Sequence, residues 1–372
     1  SRNRGYSENA IGSVYGTLDL AWENWAYLNL TARNDWFSTL SYPGKDTPNN
    51  DFYPSINGSL IVSELLDLGN IFNFLKVRGG YSQVAGGAQD AYQLALAYEI
   101  FGQGHLGQPL GRVNGGTVPN ANLVAFNKDE TEIGIDGRLL DNRLSFDFAY
   151  YTNTTTNDIV RVGASVFSGY GNATANIGEL SNQGFEFLVS GTPVKTENFQ
   201  WRTSINGAYN ESEIVATDAD NGEIRLAEPR TRNVEIKQIV GQPFGTIVGV
   251  AYVRNDAGDI MYDINADGVP IAQEGAREIL GQGVPPWTMG WTNTFTYKDF
   301  TMNFLIDGKF GGQVFSGSNS LLYGNGLHKK TLEGREDGLS VTGIDAATGN
   351  EFTTTVAPED LSTYWGNIND IA

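Results

Sequence analysis

The sequence predicts an all-β protein whose strands form part of a transmembrane antiparallel β-barrel. Three observations predict it. Apolar and polar residues alternate with a period of two along about eleven segments. The connections between those segments alternate between short and long. The 372 residues include 46 glycines, 19 phenylalanines, 17 tyrosines and 7 tryptophans, and no cysteine. That composition suits strands joined by many turns.

The elements follow in chain order. Residues 13–33 read as a hairpin. Val14, Gly16, Leu18, Leu20 and Trp22 fall on one face, with Tyr15, Thr17, Asp19 and Ala21 on the other. After a turn at Glu23-Asn24, Ala26, Leu28, Leu30 and Ala32 oppose Tyr27, Asn29, Thr31 and Arg33. The stretch "LSFDFAYY" sets Leu144, Phe146, Phe148 and Tyr150 against Ser145, Asp147 and Ala149. "FQWRTSINGAY" sets Trp201, Ile205 and Tyr209 against Gln200, Arg202, Ser204 and Asn206. "FTMNFLIDGKF" sets Phe300, Met302, Phe304, Ile306 and Phe310 against Thr301, Asn303, Asp307 and Lys309. Each is the pattern of a sheet with one apolar and one polar face.

The short connections are Glu23-Asn24, "LDLGN", "LLDN", "PVKTEN" and Lys298-Asp299. The long ones span 36–52, 84–127, 152–176, 211–238 and 253–285. Outer-membrane barrels sort their connections this way, with short periplasmic turns and long extracellular loops. Aromatics flank the short turns: Trp22 and Trp25, Phe199 and Trp201, Tyr297 and Phe300. They suit an interfacial girdle. Asp19, Arg33, Lys76, Arg78, Asp136, Arg138, Asp147, Glu186, Arg202, Asp307 and Lys309 all fall on the polar faces. A charge on the lipid face would cost up to about 2–4 kcal/mol, so these charges are assigned to a wet lumen.

Composition also excludes. Without cysteine there are no disulfides or thiolate metal sites. Two histidines, His105 and His328, argue against a histidine metal site or a Ser-His-Asp triad. A net charge of −19 disfavours nucleic acid. Asp136, Asp147 and Glu186 have no spacing that marks an acid/base pair, and no enzyme is expected.

Several segments together resemble the SusC/RagA-like TonB-dependent transporters of Bacteroidetes-type outer membranes. They are "FYPSINGSLIVSE" (52–64), "LKVRGGYSQV" (75–84), "EIGIDGRLLDNRLSFDFAYYTNTTTNDIV" (132–160), "NIGELSNQGFEFLVSGTPV" (176–194), "FQWRTSINGAYNESEI" (199–214), "VGQPFGTIVGVAY" (240–252) and "ILGQGVPPWTMGWTNTFTYKDFTMNFLIDGKFGGQVF" (279–315). The resemblance implies a large barrel around an N-terminal plug in a Gram-negative outer membrane. It implies active import of an oligosaccharide or peptide, coupling to TonB, and a SusD-like surface lipoprotein as lid. Residues 1–372 would then be a partial barrel, with plug and final strands outside this stretch. The competing readings are a secreted, calcium-stiffened β-sandwich adhesin or glycan-binding module, and a glycan-active β enzyme.

Two sets of site residues follow. "DINADGVPIAQE" matches the calcium-loop pattern, with Asp263, Asn265, Asp267 and Glu274 as oxygen ligands for a structural Ca2+. Pro270 and the lack of flanking helices argue against an EF-hand, and an Asx-turn without metal gives the same spelling. The second set is aromatic. Trp36, Phe37, Phe52, Tyr53, Tyr98, Tyr170 and Tyr323 are candidate cargo contacts, because ring faces stack on sugars and peptide side chains alike. "GQGHLG" (102–107) fits G-x-G-x-x-G but lacks the following helix, so it reads as a loop.

Overall fold

The computed structural model describes residues 7–370, apart from 70, 89, 92, 97, 102–103, 114–115, 164–165, 177, 218–220 and 229–233. The chain forms two compact units. The first holds residues 1–224, 239–244 and 285–311, and the second holds 225–238, 245–284 and 312–372.

The first unit is built on one ten-stranded sheet. Its strands are β1 (Ile11–Trp22), β2 (Ala26–Phe37), β3 (Asn50–Ile61), β4 (Phe72–Gly86), β5 (Phe126–Leu139), β6 (Leu144–Thr156), β7 (Glu179–Lys195), β8 (Phe199–Ala216), β9 (Trp287–Tyr297) and β10 (Phe300–Phe310). Neighbours in sequence are neighbours in the sheet, and every pair is antiparallel. This is the meander of an up-and-down barrel wall. The expectation of about eleven strands is corrected to ten. The segment 246–252 belongs to the second unit, so β8 pairs directly with β9. Its apolar run has the composition of a wall strand, but it lies in a smaller sheet with Thr246 to Gly249 buried.

The register shows why the two faces differ. One row crosses all ten strands as Trp22, Ala26, Leu60, Val77, Ile135, Phe148, Phe187, Gly207, Met289 and Gly308. Every member is apolar. An adjacent row on the opposite face reads Ala21, Tyr27, Ser59, Arg78, Gly134, Ala149, Glu186, Ala208, Thr288 and Lys309. A one-residue slip anywhere would exchange the two. All eleven charges assigned to the polar face lie on it. The apolar face is uncovered: Ile133, on a central strand, is 60 % exposed. A protein folded in water rarely leaves such a face bare, whereas lipid covers it in a barrel.

The wall's short connections all lie at one end and its long ones at the other. Three of the short turns hold non-glycine residues in left-handed conformations: Glu23, Leu140 to Asn142, and Lys298. The buried apolar residues of the unit sit mainly in the long connections rather than in the wall. Leu40, Ala88, Leu123 and Ala125 pack with Phe37 from the end of β2. Lys45 fastens this cluster, donating to the carbonyls of Leu40 (2.7 Å) and Leu123 (2.5 Å).

The second unit has two four-stranded sheets among the described residues. One pairs Ile224–Ala227, Val234–Gln238, Thr246–Tyr252 and Glu274–Gln282, in that order. The other runs Pro270–Ala272, Met261–Ile264, Leu339–Asp345, Glu351–Val356. Its core gathers Val269, Val341, Val356, Leu361 and Trp365, with Tyr323 and Phe352 against it. The helix Leu361–Asp370 closes the second sheet's edge through one amide. Asn367 accepts from the backbone N–H of Ala272 (2.9 Å) and donates to its carbonyl (3.3 Å). No helix among the described residues is long and apolar enough to cross a membrane.

Candidate functional site

The polar face of the wall gathers the chemistry. Arg78 on β4 spans the next two strands. Its guanidinium meets Asp147 on β6 through two contacts (2.8 and 3.2 Å) and Glu132 on β5 at 3.2 Å. Lys76 faces Asp136 at 3.7 Å, and Lys128 faces Glu130 at 3.3 Å. Nearer the wall's first edge, Asn29 donates to Asp19 at 2.6 Å. These pairs bind Arg78, Lys76 and Lys128 to the wall's own carboxylates.

Glycine makes this possible. A Cβ on Gly134 would lie 2.6 Å from the Arg78 guanidinium carbon, and one on Gly80 2.2 Å from the Asn57 amide oxygen. On Gly290 it would lie 2.7 Å from the same atom of Asn206. Long polar side chains therefore lie flat across glycines on the next strand. Gly184 is the least yielding of these seats, because its Cβ would meet the backbone carbonyl of Tyr209 at 2.2 Å and the Tyr151 hydroxyl at 2.7 Å. Backbone cannot swing away as a side chain can. Gly184→Ala is expected to cost about 1–3 kcal/mol of barrel stability, whereas Gly12→Ala, with nothing within 4 Å, is expected to be neutral. Unfolding in detergent as a function of denaturant checks both.

Three grooves follow the polar face. One, of about 420 Å³, lies among Asp19, Asn29, Asn57, Lys76 and Arg78. Another of about 420 Å³ holds Arg78, Asp147, Glu186 and Asn206. The third, of about 660 Å³, lies along Tyr151, Asn153, Asn182 and Asn210.

The predicted aromatic contacts do not converge. Phe37 is 3 % exposed inside the loop core. That corrects its assignment as a cargo contact, since a ring packed on Leu40 and Leu123 offers no face. Tyr53 commits its hydroxyl to Asp35 at 2.5 Å. Trp36 is half-exposed at the end of β2, Phe52 and Tyr98 are exposed, and Tyr170 is half-buried in a long connection. Tyr323 belongs to the second unit, stacked on His328 with centroids 4.0 Å apart and beside Trp365.

The calcium residues are placed as a turn. Asn265 accepts from the N–H groups of Asp267 (3.0 Å) and Val269 (2.8 Å), and Gly268 turns the chain at φ +81°. Asp263 accepts from the Gln273 amide at 2.8 Å. Glu274 stands in the other sheet, opposite Tyr252. Among the described residues no three acidic, histidine or cysteine side chains gather around a common point. The arrangement does not fit a calcium loop, because its central ligand is spent on capping the turn. Ten residues earlier, Asn255 caps the N–H groups of Ala257 and Asp259 in the same way, with Gly258 at φ +90°. The repeated N-x-x-G spelling was the available signal for a hairpin turn. Adding or chelating calcium is expected to leave the melting temperature of the second unit unchanged.

Glu235 is the electrostatic centre of the second unit. It meets Arg277 at 2.9 Å, Lys237 at 3.2 Å and Arg225 at 3.4 Å. Burial alone would push its carboxyl up, but the hydrogen bond and charge of Lys237, with Arg277 and Arg225, outweigh burial and hold it below the ordinary value. A depressed folded pKa contributes stability above the unfolded value of about 4.3, and loses it as pH falls through the folded value. Glu235→Gln is expected to cost about 1–3 kcal/mol at neutral pH. The deficit should vanish in acid, which thermal melts across pH would read.

The comparisons agree with this wall. Residues 1–335 match the family described as TonB dependent receptor-like, beta-barrel. The chain is 25 % identical over 335 residues to TonB-dependent receptor P26 of Formosa agariphila, covering 84 % of this chain and 33 % of that protein. It is 24 % identical over 326 residues to TonB-dependent receptor SusC of Bacteroides thetaiotaomicron, covering 83 % and 32 %. The structure of the RagAB peptide transporter superposes with a TM-score of 0.70 at 18 % identity, over 82 % of this chain and 34 % of that one. The chain thus spans about a third of the length of these relatives. Meander, bare apolar face, charged polar face and family match lead to one assignment: the chain belongs to the TonB-dependent receptor-like β-barrel family, whose members span the Gram-negative outer membrane.

Proposed function

We propose that the whole protein imports a large nutrient across the outer membrane, as the barrel of a SusCD-like complex. The polar face carries this reading. It is continuous across ten strands, grooved and charged. Asp147 is held by Arg78 and Asp136 lies beside Lys76, as charges of a polar lumen wall would be. The cargo class is an oligosaccharide or a peptide. RagAB is a peptide transporter, and SusC is a TonB-dependent receptor. Import would draw on TonB, and a SusD-like surface lipoprotein would sit over the long-connection end. The fold leaves the apolar face to lipid.

The test is to purify the native protein from detergent-solubilised outer membrane and take its intact mass and its partners. A chain longer than 372 residues, co-purifying with a surface lipoprotein, is the expected result. A soluble species of this chain's own mass, without a membrane partner, would overturn the reading.

A further inference from the structure

The groove of about 660 Å³ on the polar face is lined by an amide ladder that the wall does not need for pairing. The Tyr151 hydroxyl donates to Asn210 at 2.9 Å. Asn210 donates to Asn182 at 3.4 Å, and Asn182 donates to Asn153 at 3.1 Å. The three rungs cross β6, β7 and β8, so the side chains are held in a fixed line. An amide carries two N–H donors. Asn182 and Asn210 each spend one within the ladder and keep one for another acceptor. The hydroxyl end of Tyr151 rests over Gly184, which lays the ring along the wall.

Three carboxylates share the groove with one ammonium. Lys128 is taken by Glu130 (3.3 Å) and Glu132 by Arg78 (3.2 Å). Glu186 forms no ion pair among the described residues. It sets a negative, acceptor-only group beside a row of donors and acceptors. The apolar lining is Ala149, Leu180 and the Tyr151 ring. A peptide needs pockets for its alternate side chains, and the lining offers little for them. A hydroxyl both donates and accepts, so a hydroxyl-rich chain can satisfy the ladder and the carboxylates together. An anionic chain would bring like charge against the exposed Glu186 carboxylate, a salt-screened repulsion that is the repulsive half of specificity. The volume lies in the range of about 300–1,000 Å³ typical of small-ligand sites.

The geometry points to a cargo subsite on the barrel wall, built by Asn153, Asn182, Asn210 and Tyr151, that takes an uncharged, hydroxyl-rich oligosaccharide segment and rejects polyanionic chains through Glu186. This rests on the import reading above. It goes further by naming the subsite, the favoured cargo and the residue that discriminates.

The test uses the full-length transporter in its own cell. A deletion strain is grown on a panel of neutral glycans, uronic-acid or sulfated glycans, and peptides. It is then complemented with wild type, Asn182→Leu, Asn210→Leu or Glu186→Lys, with surface level and heat-modifiable mobility confirming a folded barrel. The expected result is a growth defect on a neutral glycan. Uptake should fall about 3–10-fold for either asparagine variant, the size of one lost hydrogen bond. Glu186→Lys should raise uptake of anionic chains. A defect confined to anionic glycans or to peptides would overturn the inference. So would asparagine variants that fold and import like wild type, with the import reading left standing. No defect on any nutrient would overturn both. Should a leucine variant fail to fold, Asn182→Ser, which shortens the side chain and breaks the ladder without apolar bulk, is measured in its place.

Discussion

Trp365→Ala is expected to unfold the second unit's core, at a cost of about 3–5 kcal/mol. The indole is 8 % exposed. It is the largest side chain in a cluster with Val269, Val341, Val356 and Leu361. It packs edge-on against Tyr364 at 5.1 Å and lies 5.7 Å from Tyr323. Removing it leaves a cavity that β-branched valines on paired strands cannot collapse into. Its N–H has no hydrogen-bond partner among the described residues, so truncation forfeits packing and strands no partner. The loss should also free the helix Leu361–Asp370, whose Asn367 closes the sheet edge at Ala272. Limited proteolysis of the full-length protein in detergent checks this. Cleavage within 312–372 should appear while the barrel stays intact. Unchanged resistance would show that the core does not depend on the indole. Trp365→Phe, which keeps much of the ring area, should recover most of the protection.

The second large effect separates the two faces of the wall. Phe148→Arg is expected to cost about 2–4 kcal/mol and to block assembly into the membrane, because it places a cation on the lipid face. Phe148 is 43 % exposed, stacks on Phe187 at 6.2 Å, and sits in the wholly apolar row. Ala208→Arg serves as the contrast. Ala208 is on the opposite face, directly across from Glu186, so the new guanidinium meets water and a carboxylate. Its effect is expected to stay within about 0.5 kcal/mol. Folding into vesicles, read by heat-modifiable mobility, checks the pair. If Phe148→Arg assembles as well as Ala208→Arg, the face assigned to lipid is wrong.

Much of the wall was legible in the sequence, because strand side chains alternate strictly and a membrane punishes errors of alternation. Phe146 and Asp147 are adjacent in sequence, and their faces could be read without any structure. The short turns were legible for the same reason, as breaks in the period. What period two cannot show is which strand lies beside which, or at what offset. The segment 246–252 has a strand's composition, yet only pairing placed it in the second unit rather than in the wall. Phe37 looked like a loop aromatic free for cargo, and only packing from 88 and 123 buried it.

The calcium spelling carried the same ambiguity. Asp, Asn and Gly at short spacing serve either an ion or a turn, and the choice depends on where Glu274 ends up. Sequence by itself determined that this chain is a two-faced antiparallel wall with its charges on one side, because alternation is a local property of each strand. Tertiary structure alone decided that Arg78 meets Asp147, that Asn153, Asn182 and Asn210 form one ladder, and that glycines make room for both. Those contacts depend on register between strands, and register is set by the whole sheet.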